Sequence, residues 1–236
     1  MGPPSRSEPP RPPASSACAM HEADPRYVGL DAEASGDGVR RWRRTTRDRL
    51  RALRAARPAA ERARHAEALA VALDALLEPA PGAVVSVYWP MQGEPDLRGW
   101  MASLVERGVT VALPEVVASG QPLVFRVWTP GARLEPGVWD IPVPVEGERV
   151  HPTVAIAPVV GFDPACYRLG NGGGYFDRTL AVLDPRPLAV GVAHPDSCLP
   201  TIFPQPHDIP MDCIVTGDGP PIRRGDASGP NAPESR

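Results

Sequence analysis

A glycine-rich segment between an arginine and an aspartate is the strongest chemical signal in this sequence. Four glycines fall within positions 170–174, after Arg168 and before Asp177. Glycine lets backbone N–H groups converge on an anion where a Cβ would clash, and a helix that begins at Tyr175 would favour negative charge at its start. Arg168 has the donor geometry that suits a phosphate, and Asp177 could bind the Mg²⁺ that accompanies a nucleoside triphosphate. The segment predicts a phosphate site, with a surface loop that needs positive φ angles as the alternative.

The absence of lysine limits the kind of nucleotide site. All 25 residues counted as lysine or arginine are arginines. A P-loop requires Gly-Lys-Ser/Thr, a protein kinase requires a strand lysine, and Schiff-base chemistry requires an amine, so these three classes are excluded. The glycine spacing also departs from the G-x-G-x-x-G dinucleotide fingerprint. No G-x-S-x-G or H-E-x-x-H motif supports a hydrolase.

An arginine-rich segment at 40–57 is a second candidate for anion binding. It holds nine arginines and one acidic residue, Asp48. Arg43 and Arg47 would share one face of a helix, where together they could bind a polyphosphate. A solvated helix face is the default interpretation, and contact with nucleic acid is a further alternative. The lack of aromatic residues beyond Trp42, and of a helix-turn-helix pattern, argues against DNA binding.

Three shorter segments supply further candidate side chains. Glu94 follows an apolar run that ends at Trp89, Trp139 opens a Trp-Asp-Ile-Pro-Val-Pro turn, and His207-Asp208 precedes the last apolar run. Each has a structural alternative. An isolated glutamate is often a loop residue, prolines fix rigid turns, and a histidine beside an aspartate is more often structural than catalytic.

Composition indicates one globular domain with polar ends. The 236 residues carry a formal net charge of −3 and are 42% hydrophobic, which suits one buried core and gives no overall attraction to nucleic acid or membrane. Residues 1–39 form a Pro-rich extension and 217–236 a similar tail, both predicted to be disordered, which leaves a folded domain at 40–216. The four cysteines lack metal-like spacing, which predicts reduced thiols and no zinc site. No signal peptide or membrane-length apolar run is present, so we expect a soluble, cytoplasmic protein.

Apolar periodicity predicts alternating helices and strands in the folded domain. Helices are predicted at 39–57, 59–77, 97–107 and 175–183, and strands at 84–89, 109–113, 123–128, 154–160, 188–192 and 213–216. Near-continuous apolar strands are typical of a parallel sheet covered on both faces. The sequence therefore predicts an α/β protein, a three-layer α/β/α fold with a mainly parallel, Rossmann-like sheet. Ligands of such sheets bind beyond the carboxyl ends of the strands, so Glu94 and the glycine-rich segment could face one crevice.

Five segments, in order, resemble the motifs of one family. The segment from Arg168 to Arg178, RLGNGGGYFDR, resembles the RLGxGxGYYDR signature of the 5-formyltetrahydrofolate cyclo-ligase family, also called methenyltetrahydrofolate synthetases. The other four resemble its basic N-terminal helix at 40–57, its strand-plus-glutamate block at 88–94, its WxIPxP turn at 139–144 and its closing HDxxxD segment at 206–216. The resemblance covers the whole predicted folded domain.

The resemblance implies an ATP- and Mg²⁺-dependent ligase that converts 5-formyltetrahydrofolate to 5,10-methenyltetrahydrofolate and releases ADP and phosphate. By motif position, ATP would be bound by Arg43, Arg47, Arg168, Leu169, Gly170, Asn171, Gly172, Gly173, Gly174, Tyr175 and Phe176. The folate would face Trp89, Glu94 and Tyr175, the metal would be held by Asp177 and Asp208, and Arg168 and Tyr175 would be catalytic. The implied partners are these small molecules, without nucleic acid or membrane, and we expect a monomer.

The sequence departs from the family pattern at three places. Gly173 stands where some members carry a lysine, which would leave the γ-phosphate to arginines, metal and backbone. Phe176 replaces the second tyrosine of the signature and removes a hydroxyl group. His-Pro-Asp-Ser at 194–197 replaces a Glu-x-Gln segment, which bears on substrate preference if that glutamine supports the folate.

Several alternatives stay open at this point. Arg44 or Arg51 could take the place of Arg43 or Arg47, since the register of the first helix depends on counting back from 61–62. A catalytically silent relative that binds folate or nucleotide is a second functional class. An RNA-binding protein that uses the 40–57 helix is a third, and it would bind in a strongly salt-dependent way.

Overall fold

The helices and strands follow the predicted order along the chain. The computed structural model describes residues 36–225. The helices are α1 (Gly36–Ala55), α2 (Ala59–Leu77), α3 (Arg98–Glu106) and α4 (Tyr175–Val182). The strands are β1 (Val84–Ser86), β2 (Thr110–Glu115), β3 (Val124–Trp128), β4 (Leu134–Pro136), β5 (Pro142–Pro144), β6 (Arg149–Val150), β7 (Val154–Pro158), β8 (Gly161–Phe162), β9 (Arg168–Leu169), β10 (Leu188–Val192), β11 (Cys213–Val215) and β12 (Ile222–Arg223).

The central sheet has a parallel interior and antiparallel edges. Its strand order is β12-β11-β10-β7-β1-β2-β3-β6, and the five strands from β11 to β2 in that order pair in parallel. β12, β3 and β6 each pair antiparallel with a neighbour. The prediction of a mainly parallel sheet is confirmed. The direction of β3 follows from its connection to β2, which the apolar pattern alone does not reveal.

Alternate residues of the parallel strands pack against helices on opposite faces. On one face, Val85, Val190 and Val215 belong to a cluster with residues of α2 and α3. On the other face, Ala157 and Ile214 pack with Leu180 of α4. These two helical layers confirm the predicted three-layer α/β/α arrangement, and they leave the carboxyl ends of β1, β2 and β7 open to a ligand.

The described structure extends past both predicted domain boundaries. α1 begins at Gly36 and β12 reaches Arg223, whereas the folded domain was predicted at 40–216. Short elements in glycine- and proline-rich sequence are stabilised by tertiary contacts, which composition does not report. The remainder of the predicted disordered segments, 1–35 and 226–236, lies outside the described residues. Within 36–225, no helix is both long and apolar enough to cross a bilayer.

Candidate active site

Some of the arginine side chains of helix α1 are buried against the domain. Its buried residues recur at three- and four-residue intervals: Val39, Arg43, Thr46, Leu50 and Arg54. Leu50 packs with Leu169 and Ile202 and so attaches the helix to the domain. Arginine is almost never buried without a partner, so the inward arginines must have specific contacts. A solvated face therefore describes only the outer side of α1, where Arg44 is exposed.

A cavity of about 520 Å³ lies where α1 faces the carboxyl ends of β1, β2 and β7. It is lined by every predicted site residue except one: Arg43, Arg47, Trp89, Glu94, Arg168, Gly170, Asn171, Gly172, Gly173, Gly174, Tyr175, Phe176, Asp177 and Asp208. The exception is Leu169, which is fully buried and whose carbonyl accepts a hydrogen bond from Val160 N at 2.9 Å. The Leu169 side chain packs behind the cavity wall, so this structure shows no cavity surface for it, and a contact with ATP stays a prediction.

The glycine-rich loop needs glycine both for its backbone angles and for space. Gly172 and Gly174 have φ angles of +103° and +64°, in the range that side chains disfavour. A Cβ on Gly173 would lie 2.7 Å from the ring of Tyr175. Gly174 is the N-cap residue of α4, so the helix opens at the cavity. The loop thus needs glycine for positive φ and for its packing against Tyr175, and its role as a phosphate site stays a prediction.

Arg168 is fixed in the cavity wall by a carboxylate and a backbone oxygen. Its Nη2 donates to Asp177 Oδ1 at 3.0 Å, and its Nη1 donates to Ile209 O at 2.6 Å. The N–H of Ile209 in turn donates to the same Asp177 oxygen at 3.0 Å. Burial lowers the pKa of Arg168, and the charge of Asp177 opposes that shift. The network joins the glycine-rich segment to the loop that carries Asp208.

Arg43 and Asp208 form a second pair across the cavity. Arg43 Nη1 and Nη2 donate to the two carboxylate oxygens at 3.3 and 2.5 Å, and Nη2 also donates to Phe203 O at 2.8 Å. Burial alone would raise the pKa of Asp208. The hydrogen bonds from Arg43 and Gln205 N outweigh it, so the pKa of Asp208 lies below its usual value. The carboxylate is thereby kept ionised.

Arg47 and Arg51 contact the glycine-rich loop from α1. Arg47 Nε donates to Gly170 O at 2.9 Å, and Arg51 Nη2 donates to Asn171 O and Oδ1 at 3.1 and 3.0 Å. Burial, followed by the charges of Arg43 and Arg51, lowers the pKa of Arg47. In the sequence, Arg51 was only an alternative to Arg43 or Arg47, although its spacing of four from Arg47 is a signal that could have placed it beside them.

Glu94 is buried at the cavity wall below the end of β1. Its Oε2 accepts a hydrogen bond from Met91 N at 3.0 Å, and Asn171 Nδ2 lies 3.5 Å from Oε1. Burial raises the pKa of Glu94, while the charge of Arg54, 3.8 Å away, opposes that rise. The glutamate is thus held in place and does not occupy an exposed loop.

Two aromatic side chains give the cavity apolar surface. Trp89 packs edge-on against Trp128 with ring centroids 6.3 Å apart. Trp139 is 62% exposed and its ring meets that of Tyr175 edge-on at 5.4 Å. Trp139 and Asp140 have φ angles of 57° and 58°, which are unfavourable for residues with a Cβ. The turn predicted at 139–144 is therefore strained where it borders the cavity.

The chain is similar in sequence to the members of one enzyme family. Residues 39–217 match the model of the 5-formyltetrahydrofolate cyclo-ligase family. The 5-formyltetrahydrofolate cyclo-ligase of Mycolicibacterium smegmatis is 30% identical over 147 residues, which cover 57% of this chain and 74% of the relative. The enzyme of that name from Escherichia coli strain K12 is 32% identical over 139 residues, which cover 56% of this chain and 76% of the relative.

Two solved structures share the fold. The NMR structure of Aquifex aeolicus 5,10-methenyltetrahydrofolate synthetase has a TM-score of 0.67 at 29% identity and covers 81% of this chain and 97% of that one. A 5,10-methenyltetrahydrofolate synthetase from Mycoplasma pneumoniae has a TM-score of 0.62 at 21% identity, with 75% and 99% covered. The family match includes every segment that lines the cavity. By sequence match and by fold, the chain belongs to the 5-formyltetrahydrofolate cyclo-ligase family.

Proposed function

We propose that the cavity is the active site in which this chain cyclises 5-formyltetrahydrofolate to 5,10-methenyltetrahydrofolate, with conversion of ATP to ADP and phosphate. The observation that carries the proposal is the meeting, in one 520 Å³ cavity, of a glycine-rich loop at a helix N-terminus, arginines and carboxylates. Loop and helix suit phosphate groups, and the apolar surface beside them suits an aromatic substrate.

The nucleotide is assigned to the arginine side of the cavity. Arg43, Arg47 and Arg168 supply positive charge, and the backbone of 170–174 supplies N–H donors to the phosphate groups. Tyr175 and Phe176 stand at the start of α4, where they can border both ligands. In place of the lysine that some relatives have at Gly173, Arg51 contacts the same loop through Asn171. Positioning and charge stabilisation by these groups are what phosphoryl transfer requires of a protein.

The donor set fits Mg²⁺ bound together with a nucleotide. Asp177 and Asp208 offer carboxylate oxygens on one cavity wall, and Mg²⁺ typically takes one or two carboxylates plus phosphate oxygens and water. Within 36–225 no group of three or more His, Cys, Asp or Glu residues could hold a metal without the nucleotide. When bound, the ion would neutralise charge on the phosphates. Each carboxylate pairs with an arginine in the unliganded protein. When nucleotide and ion bind, Arg43 and Arg168 would be available to the phosphates, and Asp177 and Asp208 would hold the ion.

The folate is assigned to Trp89 and Glu94. Of the three carboxylates that line the cavity in the described chain, two belong to the metal site, which leaves Glu94 for the folate. A buried carboxylate needs a donor, and the N–H groups of a reduced pterin are donors. Trp89 and Tyr175 offer rings against which the substrate can pack. The apolar residues Pro114, Val116 and Leu123 complete this part of the wall.

The reaction needs an activated leaving group, because a formamide oxygen leaves poorly. The γ-phosphoryl group of ATP passes to the formyl oxygen, and ADP departs. N10 of the folate then attacks the formyl carbon and loses its proton, and phosphate leaves with the C–O bonding electrons. Arg168 and Tyr175 both line the cavity, and the Arg168 guanidinium can stabilise the charge of the transferred group.

The inward orientation of α1 favours the enzyme over an RNA-binding protein. Arg43, Arg47, Arg51 and Arg54 all contact groups of the same domain, which leaves few arginines for an external polyanion. We accordingly propose an enzyme without a nucleic-acid partner. As expected from the sequence, we also propose that it is monomeric and cytoplasmic. The small cluster left on the outer face would give weak binding that falls steeply with salt.

The test is to mix the purified protein with 5-formyltetrahydrofolate and Mg·ATP and to follow the absorbance of the methenyl product. We expect product only when ATP is present, with one ADP released per product formed. Tetrahydrofolate without the formyl group serves as the matched substrate and should release no ADP. Binding of both ligands without product would show a silent relative and reject the proposal.

A further inference from the structure

Arg54 is a buried arginine that does not itself line the cavity. It lies in the last turn of α1, and its side chain is 8% exposed. The cavity is lined by Arg43, Arg47 and Arg51 from this helix, whereas Arg54 faces Glu94 from behind. It was not among the predicted site residues, because one more arginine in an arginine-rich helix carries no distinctive signal.

The contacts of Arg54 are directed to one carboxylate. Its Nη1 lies 3.8 Å from Glu94 Oε1, and the Glu94 side chain is only 4% exposed. Arg54 Nε is buried and has no hydrogen-bond partner among the described residues. A buried guanidinium is costly unless a charge compensates it. Glu94 is the carboxylate that compensates it here.

The charged and polar groups around Glu94 come from three parts of the chain. Arg54 and Arg51 act from α1, the Tyr88 hydroxyl lies in the segment after β1, and Asn171 reaches across from the glycine-rich loop. Burial raises the pKa of Glu94, and Arg54 is the strongest influence that lowers it. Tyr88 donates its hydroxyl hydrogen to Pro95 O at 2.9 Å, so it does not neutralise the glutamate. The ionised state of Glu94 therefore depends chiefly on Arg54.

We propose that Arg54 is a positioning residue for the cyclisation, which holds Glu94 at the cavity wall as an ionised acceptor for an N–H group of the folate. The inference rests on the proposed function only in naming the folate as the ligand. The electrostatic link between the two side chains is a property of the unliganded protein. It predicts that Arg54 acts on folate recognition and its pH dependence, while ATP is bound by other arginines.

The first test measures the ionisation of Glu94 without any ligand. Carbon-13 NMR titration of the side-chain carboxyl groups, with Glu94→Gln to identify the signal, is compared between the wild type and Arg54→Gln. Loss of the arginine charge should raise the pKa of Glu94 by about one unit. Arg54→Lys retains a positive charge and should keep the pKa of Glu94 close to its wild-type value. An unchanged Glu94 titration in Arg54→Gln overturns the proposal.

A stability measurement keeps the test available if Arg54→Gln folds poorly. An unpaired buried carboxylate is the expected cause of such a failure, so Arg54→Gln/Glu94→Gln should be more stable than Arg54→Gln alone in urea. Arg57→Gln is the matched control at the same helix end, since Arg57 pairs with Glu61 and Asp196 and not with Glu94. If Arg54→Gln lowers the free energy of unfolding equally in the wild-type and Glu94→Gln backgrounds, the role of Arg54 is purely structural and the proposal is rejected.

The kinetic test separates this inference from the proposed function. In Arg54→Gln, kcat/KM for 5-formyltetrahydrofolate should fall more at pH 6 than at pH 8, because a higher Glu94 pKa leaves less of the carboxylate in acid. A pKa rise of about one unit limits this extra loss to less than about tenfold. The KM for ATP should stay within about twofold. An identical loss at both pH values rejects the role of Arg54 while cyclisation by the wild type stands. Absence of cyclisation by the wild type rejects the proposed function, and the NMR titration still decides the electrostatic link.

Discussion

Two kinds of arginine–carboxylate pair surround the cavity, and they differ in which partners reach it. In Arg43–Asp208 and Arg168–Asp177 both members line the cavity. In Arg54–Glu94 only the carboxylate does. A ligand can therefore separate the first two pairs by offering phosphate to the arginine and a cation to the aspartate. A ligand in the cavity cannot separate the third pair in this way, because Arg54 does not line the cavity.

The difference shows how one cavity can hold two ligands of opposite character. Under the proposed function, the arginines of the exchangeable pairs are neutralised by their aspartates in the unliganded protein and would bind the phosphates of the nucleotide. The fixed pair presents one carboxylate whose arginine does not line the cavity, which suits the uncharged pterin ring of a folate with its N–H donors. Variants of the exchangeable pairs should therefore affect nucleotide and metal, and variants of the fixed pair should affect folate.

The largest effect is expected from Asp177→Asn. Loss of one carboxylate from the metal site should lower kcat by about a hundredfold to a thousandfold, because charge on the transferred group is no longer balanced. Calorimetry should show weaker Mg·ATP binding and nearly unchanged binding of ATP without Mg²⁺. Asp74→Asn is the control, since Asp74 pairs with Arg107 at 2.8 Å on the surface. Equal losses with and without Mg²⁺ would contradict the exchange.

Glu94→Gln should rank second. The amide removes the charge and one acceptor, so kcat/KM for 5-formyltetrahydrofolate should fall by about a hundredfold, while the Kd of Mg·ATP stays within about twofold. Steady-state kinetics and nucleotide titration measure the two effects. Glu115→Gln is the matched control, because Glu115 pairs with Arg126 and does not line the cavity. A comparable loss of ATP affinity would abolish the distinction between the two kinds of pair.

Gly172→Ala should weaken ATP binding by about tenfold through the strained backbone of the loop. Gly172 has a φ of +103°, and an added Cβ would meet only ordinary contacts with Arg47 at 3.8 Å or more. Gly82→Ala controls for backbone strain alone, because Gly82 has a φ of +88° with nothing within 4 Å of its Cβ position. Nucleotide titration of both variants decides the outcome. An equal loss in Gly82→Ala would assign the effect to general destabilisation.

Trp139→Ala should raise the KM for folate by about threefold to tenfold, since an exposed ring that borders the cavity contributes modest packing. The edge contact between Trp139 and Tyr175 is the structural basis. Val138→Ala, at a neighbouring exposed position, should leave KM unchanged. If the two variants behave alike, the tryptophan only fixes the turn.

The smallest effect is expected from a buried histidine pair whose protonation lowers stability in acid. Measuring it distinguishes acid unfolding of the protein from the titration of Glu94. His65 and His194 stack with ring centroids 3.9 Å apart, and burial followed by the charges of His65 and Arg57 lowers the pKa of His194 to about 4. The unfolded state binds the proton more readily, so the stability that this pair contributes is present above pH 6.5 and is lost as the pH falls towards 4. His194→Gln should reduce the fall in Tm over that range by a few degrees. A fall as steep as in the wild type would contradict this assignment.

Part of the candidate site was predictable because its residues follow strands in the sequence. The glycine-rich loop and Glu94 were expected to face one crevice, since the carboxyl ends of parallel strands meet at one edge of a sheet. Asp208, which precedes β11, was assigned only by its motif position. Leu169 was included by motif position alone. Its alternation with Arg168 on a strand directs its side chain into the core, which the motif does not state.

The partners of the arginines could not be predicted from sequence. The segment 40–57 contains nine arginines, of which the motif singles out Arg43 and Arg47. Only the docking of α1 shows that Arg51 and Arg54 also face the domain while Arg44 is exposed. The start of α1 at residues 36–38 and the edge strand β12 were also missed, since their stability comes from contacts distant in sequence.

The sequence by itself determined the layered α/β fold, the glycine-rich loop and the family, because apolar period and glycine spacing are local properties of the chain. The tertiary structure alone decided which arginine meets which carboxylate and which pair a ligand can separate. Those facts depend on distance and burial between segments far apart in the chain, such as Arg54 and Glu94, and charge energetics are set by that environment.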